Sequence, residues 1–325
     1  MKKQDTIFPL KDKLVNDFEI YRSEITVNNN EELINIRKSA FENFLKSGLP
    51  TQALEEWRNT DLTDVYNETY NHYYKPPEKF EDIDKIFQCN VPHLKTKMLA
   101  MYNGWYVAKD DYINKFPNGL IYGSFAHAIK EFPELVNKYF AKIEEASENS
   151  FTNINTAMAI DGFFIYVPEN VKVEIPIQLV NIIHHDKNIF IQTRNLIILE
   201  KNSKITLIHC DDSYNHQKSL INSVTEVYAA ENSTIEHYKM QNLNNDSTLI
   251  NTIYYSIDAN TNLTTNGISL NGGKIKNNQY IYFNGTNCQA NAYGLYLMDR
   301  KQHIDNMVYV KHNHPYCVSN ELFKG

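Results

Sequence analysis

The side chains that most resemble metal ligands lie near the end of the chain: His303, His312, His314 and Cys317. Histidine nitrogen and cysteine sulfur are ligands that zinc and related transition metals prefer. If this segment is a strand, His312 and His314 share one face, since successive side chains of a strand alternate. Pro315 then bends the chain, so Cys317 is expected to point elsewhere. We therefore hold His312, His314 and Cys317 as candidate ligands, with packed or solvent-bonded side chains as the favoured interpretation.

The remaining reactive side chains do not form a recognisable catalytic motif. The segment at Gly272 lacks the first glycine and the Lys-Ser/Thr pair of a phosphate-binding loop. Ser124 lacks the second glycine of a nucleophile elbow and suits the start of a helix instead. Four further pairs of adjacent residues are of reactive types: His184-His185, His209-Cys210, Asp211-Asp212 and Glu55-Glu56. The histidine and cysteine pairs lack the spacing of a metal site, and the carboxylate pairs are typical of solvated turns or helix faces. We predict no catalytic residue and no tightly bound cofactor.

Composition limits the class of protein. The chain has 325 residues, is 42% hydrophobic and carries a net charge of −7. It is long enough to bury a core, and it has no basic stripe that would select nucleic acid or an acidic membrane. No apolar stretch approaches the roughly 18 residues of a spanning helix, and the N-terminus lacks the apolar segment of a signal peptide. We predict a soluble, cytoplasmic protein that is not an enzyme.

The four cysteines lie far apart and form no Cys-x-x-Cys pair: Cys89, Cys210, Cys288 and Cys317. This spacing predicts neither a disulfide framework nor a zinc knuckle. The simplest interpretation is that the thiols are buried or idle.

The elements that would position these side chains differ between the two halves of the chain. Residues 31–50 place apolar side chains at helical spacing, with an asparagine before them as a cap and Gly48 as the end. Residues 133–143 repeat this pattern after a proline that suits a first helical turn. Between them, Asn103-Gly104 separates two apolar runs and predicts a hairpin. We expect residues 1–148 to be mostly helical, with a short hairpin.

The second half carries a degenerate repeat of short strands. Four asparagines, each followed by strand residues, recur at intervals of 32, 30 and 28 residues: Asn170, Asn202, Asn232 and Asn260. A repeat of this length is what stacked coils require, because each coil turns at the same corner. Asparagine suits such a corner because it tolerates left-handed backbone.

This repeat predicts a parallel β-helix over residues 149–325, with about two strands per coil of roughly 30 residues. A β-sandwich is the alternative, because its strands also alternate and turn at short intervals. A sandwich has no reason to return to the same asparagine corner, so we favour the solenoid. Inward-pointing pairs such as Leu196-Ile198 and Ile205-Leu207 would fill a narrow, dry core.

Three segments of the chain together resemble the SufB/SufD family of iron–sulfur cluster assembly proteins. Leu49–Leu62 (LPTQALEEWRNTDL) is similar to that family's "PT…EEW…TDL" signature. Phe151–Leu179 is similar to its "NTA…DG…YVP…V…PI" entry into a β-helix, and His312–Gly325 to its "H…C.S…KG" stretch. The N-terminal segments among these point to the SufD branch.

The resemblance implies a mainly β fold with a helical N-terminal region and a right-handed parallel β-helix. It also implies a non-catalytic scaffold role. SufD-like subunits pair with SufB and with the ATPase SufC, and the iron–sulfur cluster is assembled transiently in the full complex rather than held by this chain alone.

The resemblance stops at Gly325, where members of the family continue into a "CSHG"-like segment and helices that dock SufC. We therefore expect a truncated chain in which cluster chemistry and SufC binding are impaired. An open terminal coil offers unpaired backbone groups, so we also expect self-association through the C-terminal coils.

Two other functions remain open from the residues alone. A parallel β-helix can host a carbohydrate-active enzyme, but this requires acidic and basic side chains aligned on successive coils. A stand-alone metal-binding module would use the segment from His303 to Cys317.

Overall fold

The computed structural model describes residues 8–80, 94–109 and 111–325. Cys89 and the first seven residues lie outside these ranges. Within the described ranges, no helix is both long enough and apolar enough to cross a bilayer.

Short helices dominate the first half of the chain. They are α1 (Pro9–Ile20), α2 (Arg22–Ile25), α3 (Glu31–Ser47), α4 (Thr63–Tyr66), α5 (Phe125–Glu131), α6 (Pro133–Tyr139) and α7 (Ser150–Met158), with 3₁₀ turns at Glu55–Trp57 and Glu144–Glu148. Helix α3 begins where the Asn30 side chain accepts a hydrogen bond from Leu33 N at 3.0 Å, and it ends at Gly48, whose φ is 66°. The two predicted helices are confirmed, although α6 ends early because Phe140 has an extended backbone.

Strands account for most of the second half. They are β1 (Lys97–Tyr102), β2 (Trp105–Val107), β3 (Ile113–Lys115), β4 (Ile121–Ser124), β5 (Phe163–Val167), β6 (Ile177–Ile183), β7 (Ile189–Leu199), β8 (Lys204–Ser213), β9 (Ser219–Ala229), β10 (Thr234–Asn242), β11 (Thr248–Ile257), β12 (Asn262–Ser269), β13 (Lys274–Phe283), β14 (Gln289–Tyr296), β15 (His303–His312) and β16 (Val318–Lys324). The hairpin predicted at Asn103-Gly104 joins β1 to β2.

The strands wind into two facing sheets. The even-numbered strands from β6 to β16 pair in parallel in one sheet, and the odd-numbered strands from β5 to β15 do so in the other. Each coil therefore supplies one strand to each sheet, which gives a β-solenoid of about 6 turns with repeats about 29 residues apart. Antiparallel pairs among the described strands occur at β1–β2, β3–β4 and β4–β5. The β-helix prediction is confirmed and the sandwich alternative is wrong, whereas the boundary between residues 148 and 149 stays a prediction.

The predicted asparagine corners are present in successive coils. Asn170, Asn202, Asn232 and Asn260 have φ values of 63°, 57°, 61° and 58°, all in the left-handed region. Their amides form a ladder: Asn202 Nδ2 donates to Asn170 Oδ1 at 2.9 Å, and Asn232 Nδ2 donates to Asn202 Oδ1 at 3.1 Å. Asn287, with φ of 58°, continues the series one coil further than the sequence prediction did. The ladder satisfies side-chain amides and holds the coils in register.

Aliphatic side chains fill most of the lumen between the two sheets. Ile205 and Leu207 point into it, as predicted, and are fully buried. The same prediction for Leu196 and Ile198 is wrong: their neighbour Ile197 faces the lumen, while they pack against the helical region. Strand β7 is buried on both faces, so alternation alone does not show which face is inward.

Arg37 joins helix α3 to the end of helix α7. The Arg37 side chain is 1% exposed, and its Nη1 donates to the carbonyls of Thr156 at 3.1 Å and Ala159 at 2.8 Å. Burial, with Arg194 nearby, lowers the pKa of Arg37 to about 9. The guanidinium therefore remains charged at neutral pH, where it binds the last carbonyls of α7.

Candidate functional site

The residues considered as metal ligands have separate surroundings. The His312 ring lies edge-on to Phe283, with centroids 4.5 Å apart. His314 is exposed in the following turn, and Cys317 Sγ donates to the Gly285 carbonyl at 3.3 Å. No group of three or more His, Cys, Asp or Glu side chains suited to a metal ion occurs in the part of the chain that the structure describes.

His303 lies at the other end of β15 and contacts the N-terminal signature segment. Thr60 Oγ1 donates to Asp305 Oδ2 at 2.6 Å, and His303 Nε2 lies 3.1 Å from the same hydroxyl. Lys276 Nζ is 2.8 Å from Asp305 Oδ2 and 5.1 Å from the centre of the Trp57 ring. Burial opposes ionisation of Asp305, but hydrogen bonds from Lys276 and Thr60 lower its pKa. The signature segment thus fastens the helical region onto β13 and β15.

Ser124 caps α5, as the sequence predicted. Its Oγ accepts a hydrogen bond from His127 N at 3.2 Å and donates to Asp161 Oδ1 at 2.8 Å. The side chain is fully buried, so its hydroxyl is not placed to attack a substrate. Gly272, with φ of 106°, lies in the turn between β12 and β13.

Polar side chains interrupt the apolar lumen in successive coils of the solenoid. We call them the lumen cluster: Asn181 on β6, His209 and Asp211 on β8, His237 and Lys239 on β10, and Tyr255 on β11. All except Asn181 are buried. Apolar alternation of the kind seen at Ile205 and Leu207 therefore does not fill the whole lumen, because polar side chains occupy this part of it.

An ion pair joins two coils within the lumen cluster. Lys239 Nζ lies 2.6 Å from Asp211 Oδ2, and the two side chains are 7% and 5% exposed. Asn181 Nδ2 donates to Asp211 Oδ1 at 2.6 Å and lies 2.9 Å from His209 Nε2. Buried charges require such partners, because an uncompensated charge in a low-dielectric interior is costly.

The two histidines of the cluster are stacked and neutral. Their ring centroids are 5.9 Å apart with an interplanar angle of 11°, and His237 Nδ1 lies 2.8 Å from Tyr255 OH. Burial, reinforced by the charge of Lys239, lowers the pKa of His237 to about 3 and that of His209 well below its ordinary value. Neutral imidazoles shielded from solvent can fix neighbouring groups in place, but they cannot readily exchange protons with water.

Sequence reasoning noted His209 only as part of a His-Cys pair and missed this cluster. The signal lay in the alternation of the strands. His209 and Asp211 are two residues apart, as are His237 and Lys239, and the strand register places Lys239 beside His209. Both pairs therefore occupy the inward face of adjacent strands.

A second buried ion pair lies outside the lumen, between β7, β9 and the helical region. Arg194 Nη2 is 2.6 Å from Glu226 Oε2, and these side chains are 1% and 0% exposed. Arg194 Nη1 also donates to Thr156 Oγ1 at 2.8 Å, and its guanidinium lies 4.8 Å from the centre of the Phe140 ring. Glu226 Oε2 accepts a hydrogen bond from Ala141 N at 3.0 Å. The pair binds two coils and two helical segments together.

Comparison with protein families covers nearly the whole chain. Residues 9–179 match the family described as SufBD protein N-terminal region. Residues 182–325 match the family described as SUF system FeS cluster assembly, SufBD core domain.

Curated relatives agree with these matches. An iron–sulfur cluster assembly SufBD family protein of Synechocystis is 23% identical over 301 residues, covering 90% of this chain and 66% of the relative. Relatives from Staphylococcus saprophyticus and Staphylococcus aureus are 26% and 27% identical over 256 residues, covering 71% of this chain and 54% of their own length. The chain thus spans about two thirds or less of these relatives. The resemblance seen in three sequence segments is confirmed, and the chain belongs to the SufBD family of iron–sulfur cluster assembly proteins.

Proposed function

We propose that this chain is a non-catalytic, SufD-type scaffold subunit of a cytoplasmic iron–sulfur cluster assembly complex, in which it pairs with SufB and the SufC ATPase. The observation that carries the proposal is the match to both SufBD family regions along residues 9–179 and 182–325. The iron–sulfur cluster is cargo of the complex and not a resident cofactor of this subunit.

The architecture supports a scaffold role. Parallel pairing runs without interruption from β6 to β16 in one sheet and from β5 to β15 in the other. Thr60 fastens the helical region to this body at Asp305, and the Arg194–Glu226 pair does so at Thr156 and Ala141. A stiff body of this kind can hold partner subunits at set positions.

The chemistry of the buried polar groups also supports this role. Ser124, His209 and His237 are fully or almost fully buried, and each contacts other side chains of the chain. Such groups are suited to holding coils together and lack the solvent access that substrate turnover requires.

The assignment to the SufD branch depends on sequence. Leu49–Leu62, in the N-terminal part of the chain, follows the "PT…EEW…TDL" pattern. This segment supports SufD over SufB, whereas His312–Gly325 follows a pattern of the whole SufB/SufD family.

Co-expression with SufB and SufC from the same source tests the proposal. With an affinity tag on SufB, we expect this chain to be recovered in a stable complex, whereas SufC alone should recover less. A SufB–SufC complex that forms in its presence and leaves this chain in the unbound fraction would contradict the proposal. So would turnover of a carbohydrate substrate by the purified chain.

A further inference from the structure

Two cysteines occupy equivalent positions in neighbouring coils. Cys288 and Cys317 each follow a left-handed corner residue, Asn287 with φ of 58° and Tyr316 with φ of 64°. Val318 N donates to the Cys288 carbonyl at 2.9 Å, so the two segments are paired in register. In earlier coils the equivalent positions after the corner asparagine hold small hydroxyl side chains: Ser203, Ser233 and Thr261.

The two sulfur atoms converge on one carbonyl oxygen. Cys288 Sγ lies 3.2 Å and Cys317 Sγ 3.3 Å from Gly285 O, so both point to the same side of the turn. Neighbouring strands are about 4.7–4.9 Å apart, which falls within the range of about 4.4–6.8 Å between the Cα atoms of a disulfide. The backbone therefore already brings the two residues to bonding separation.

The two thiols differ in their environment. Cys288 is 1% exposed, while Cys317 is partly exposed at the edge of the lumen core. Burial and the adjacent Cys317 raise the pKa of Cys288 to about 11. Cys317 is therefore the thiol that a dissolved oxidant can reach first, and Cys288 is the thiol that reacts second.

We propose that Cys288 and Cys317 form a reversible intrachain disulfide when the chain meets a small disulfide oxidant such as glutathione disulfide. The Cys317 thiolate attacks one sulfur of the oxidant, forms a mixed disulfide and releases one glutathione. The Cys288 thiolate then attacks the Cys317 sulfur and releases the second glutathione. The two cysteines are oxidised, glutathione disulfide is reduced to two glutathione molecules, and the two cysteine protons pass to the released thiolates.

Peptide mapping of the folded chain tests this inference. The chain is incubated with glutathione disulfide without denaturant, quenched with acid, alkylated in denaturant and digested. We expect the peptides that contain Cys288 and Cys317 to be joined and lighter by two hydrogen atoms, and to separate after treatment with dithiothreitol. Cys210, which is buried in another part of the solenoid, should remain fully alkylated.

Serine variants provide matched controls, because serine already occupies the equivalent position in two earlier coils. Cys317→Ser should abolish both the crosslink and the glutathione adduct at this site. Cys288→Ser should stop the reaction at a glutathione adduct on Cys317. Moving the pair one coil back with Thr261→Cys and Cys317→Ser places both thiols at buried positions and should slow the crosslinking strongly.

Two outcomes would overturn the inference. One is a persistent glutathione adduct on Cys317 while Cys288 stays a free thiol in the unaltered chain. The other is a crosslink that forms only after unfolding, because native register would then play no part in it.

Discussion

The buried pair of Arg194 and Glu226 offers the sharpest test of how the two halves of the chain are joined. The pair is 2.6 Å apart and essentially without solvent, and its hydrogen bonds reach Thr156 and Ala141 in the helical region. Removing one partner leaves the other charge buried and uncompensated. Such changes typically cost about 3–5 kcal/mol.

We therefore expect Arg194→Met and Glu226→Leu each to lower the free energy of unfolding by about 3–5 kcal/mol. The double variant Arg194→Met/Glu226→Leu should cost less than the sum of two single changes, by up to about 3 kcal/mol, because it leaves no lone charge. Apolar side chains of similar volume would also continue to fill the space beside Phe140.

Urea unfolding followed by circular dichroism measures these values, provided that the slope with urea is unchanged between variants. Lys201 and Glu231 form a matched control, since this pair also links two successive coils, at 3.1 Å, but is 56% and 38% exposed. Lys201→Met should leave stability almost unchanged. If the Arg194 and Glu226 single variants behave like Lys201→Met, or if their effects simply add, the pair does not couple the two halves.

The remaining predictions concern the corners, the lumen and the candidate metal ligands. Asn232→Val should lower the free energy of unfolding by about 2 kcal/mol, because a β-branched residue resists a positive φ. Asn232→Gly should lower it by less, because glycine accepts a positive φ. Equal losses of stability for the two variants in urea unfolding would argue against backbone strain as the cause. His237 has a pKa of about 3 in the folded chain, against an ordinary value of 6.5. Between these two pH values the unfolded chain binds a proton at His237 that the folded chain does not bind. The stability that neutral His237 contributes to the folded chain is therefore complete above pH 6.5 and is lost as the pH falls. We expect about 2 kcal/mol of this loss between pH 7 and pH 5, and its disappearance in His237→Gln; unfolding curves whose pH dependence is the same in both proteins would contradict the assignment. Protein purified without an affinity tag should contain no stoichiometric zinc or iron by elemental analysis. If metal is bound and is lost in the variant His312→Ala/His314→Ala, these two histidines are metal ligands and the prediction is wrong.

Much of the fold could be predicted because its signals are local and repeated. The corner at Asn202 can be recognised in the sequence because few residue types accept a left-handed backbone, and asparagine recurs at the equivalent position of neighbouring coils. The helix from Glu31 to Ser47 has its cap, its apolar stripe and its terminal glycine within one stretch of sequence. The inward face of β7 could not be predicted, because both of its faces are apolar and each has its own partner layer.

In the candidate site, too, residue types could be predicted from the sequence and their contacts could not. The sequence shows that His312, His314 and Cys317 are residue types suited to binding a metal. It does not show that His312 packs on Phe283, that His314 is exposed and that Cys317 bonds to the Gly285 carbonyl. It also contained His209 and Lys239, whose proximity depends on strand register and on the length of the coil between them.

The sequence by itself determined that the second half winds into a repeated β-structure and that the chain resembles SufBD proteins, since turn preferences and motifs reside in neighbouring residues. Only the tertiary structure decided which polar side chains meet: the lumen cluster, the Arg194–Glu226 pair and the in-register cysteines all join residues from different coils. Such contacts depend on the stacking of coils about 29 residues apart, and that register is a property of the whole solenoid rather than of any one segment.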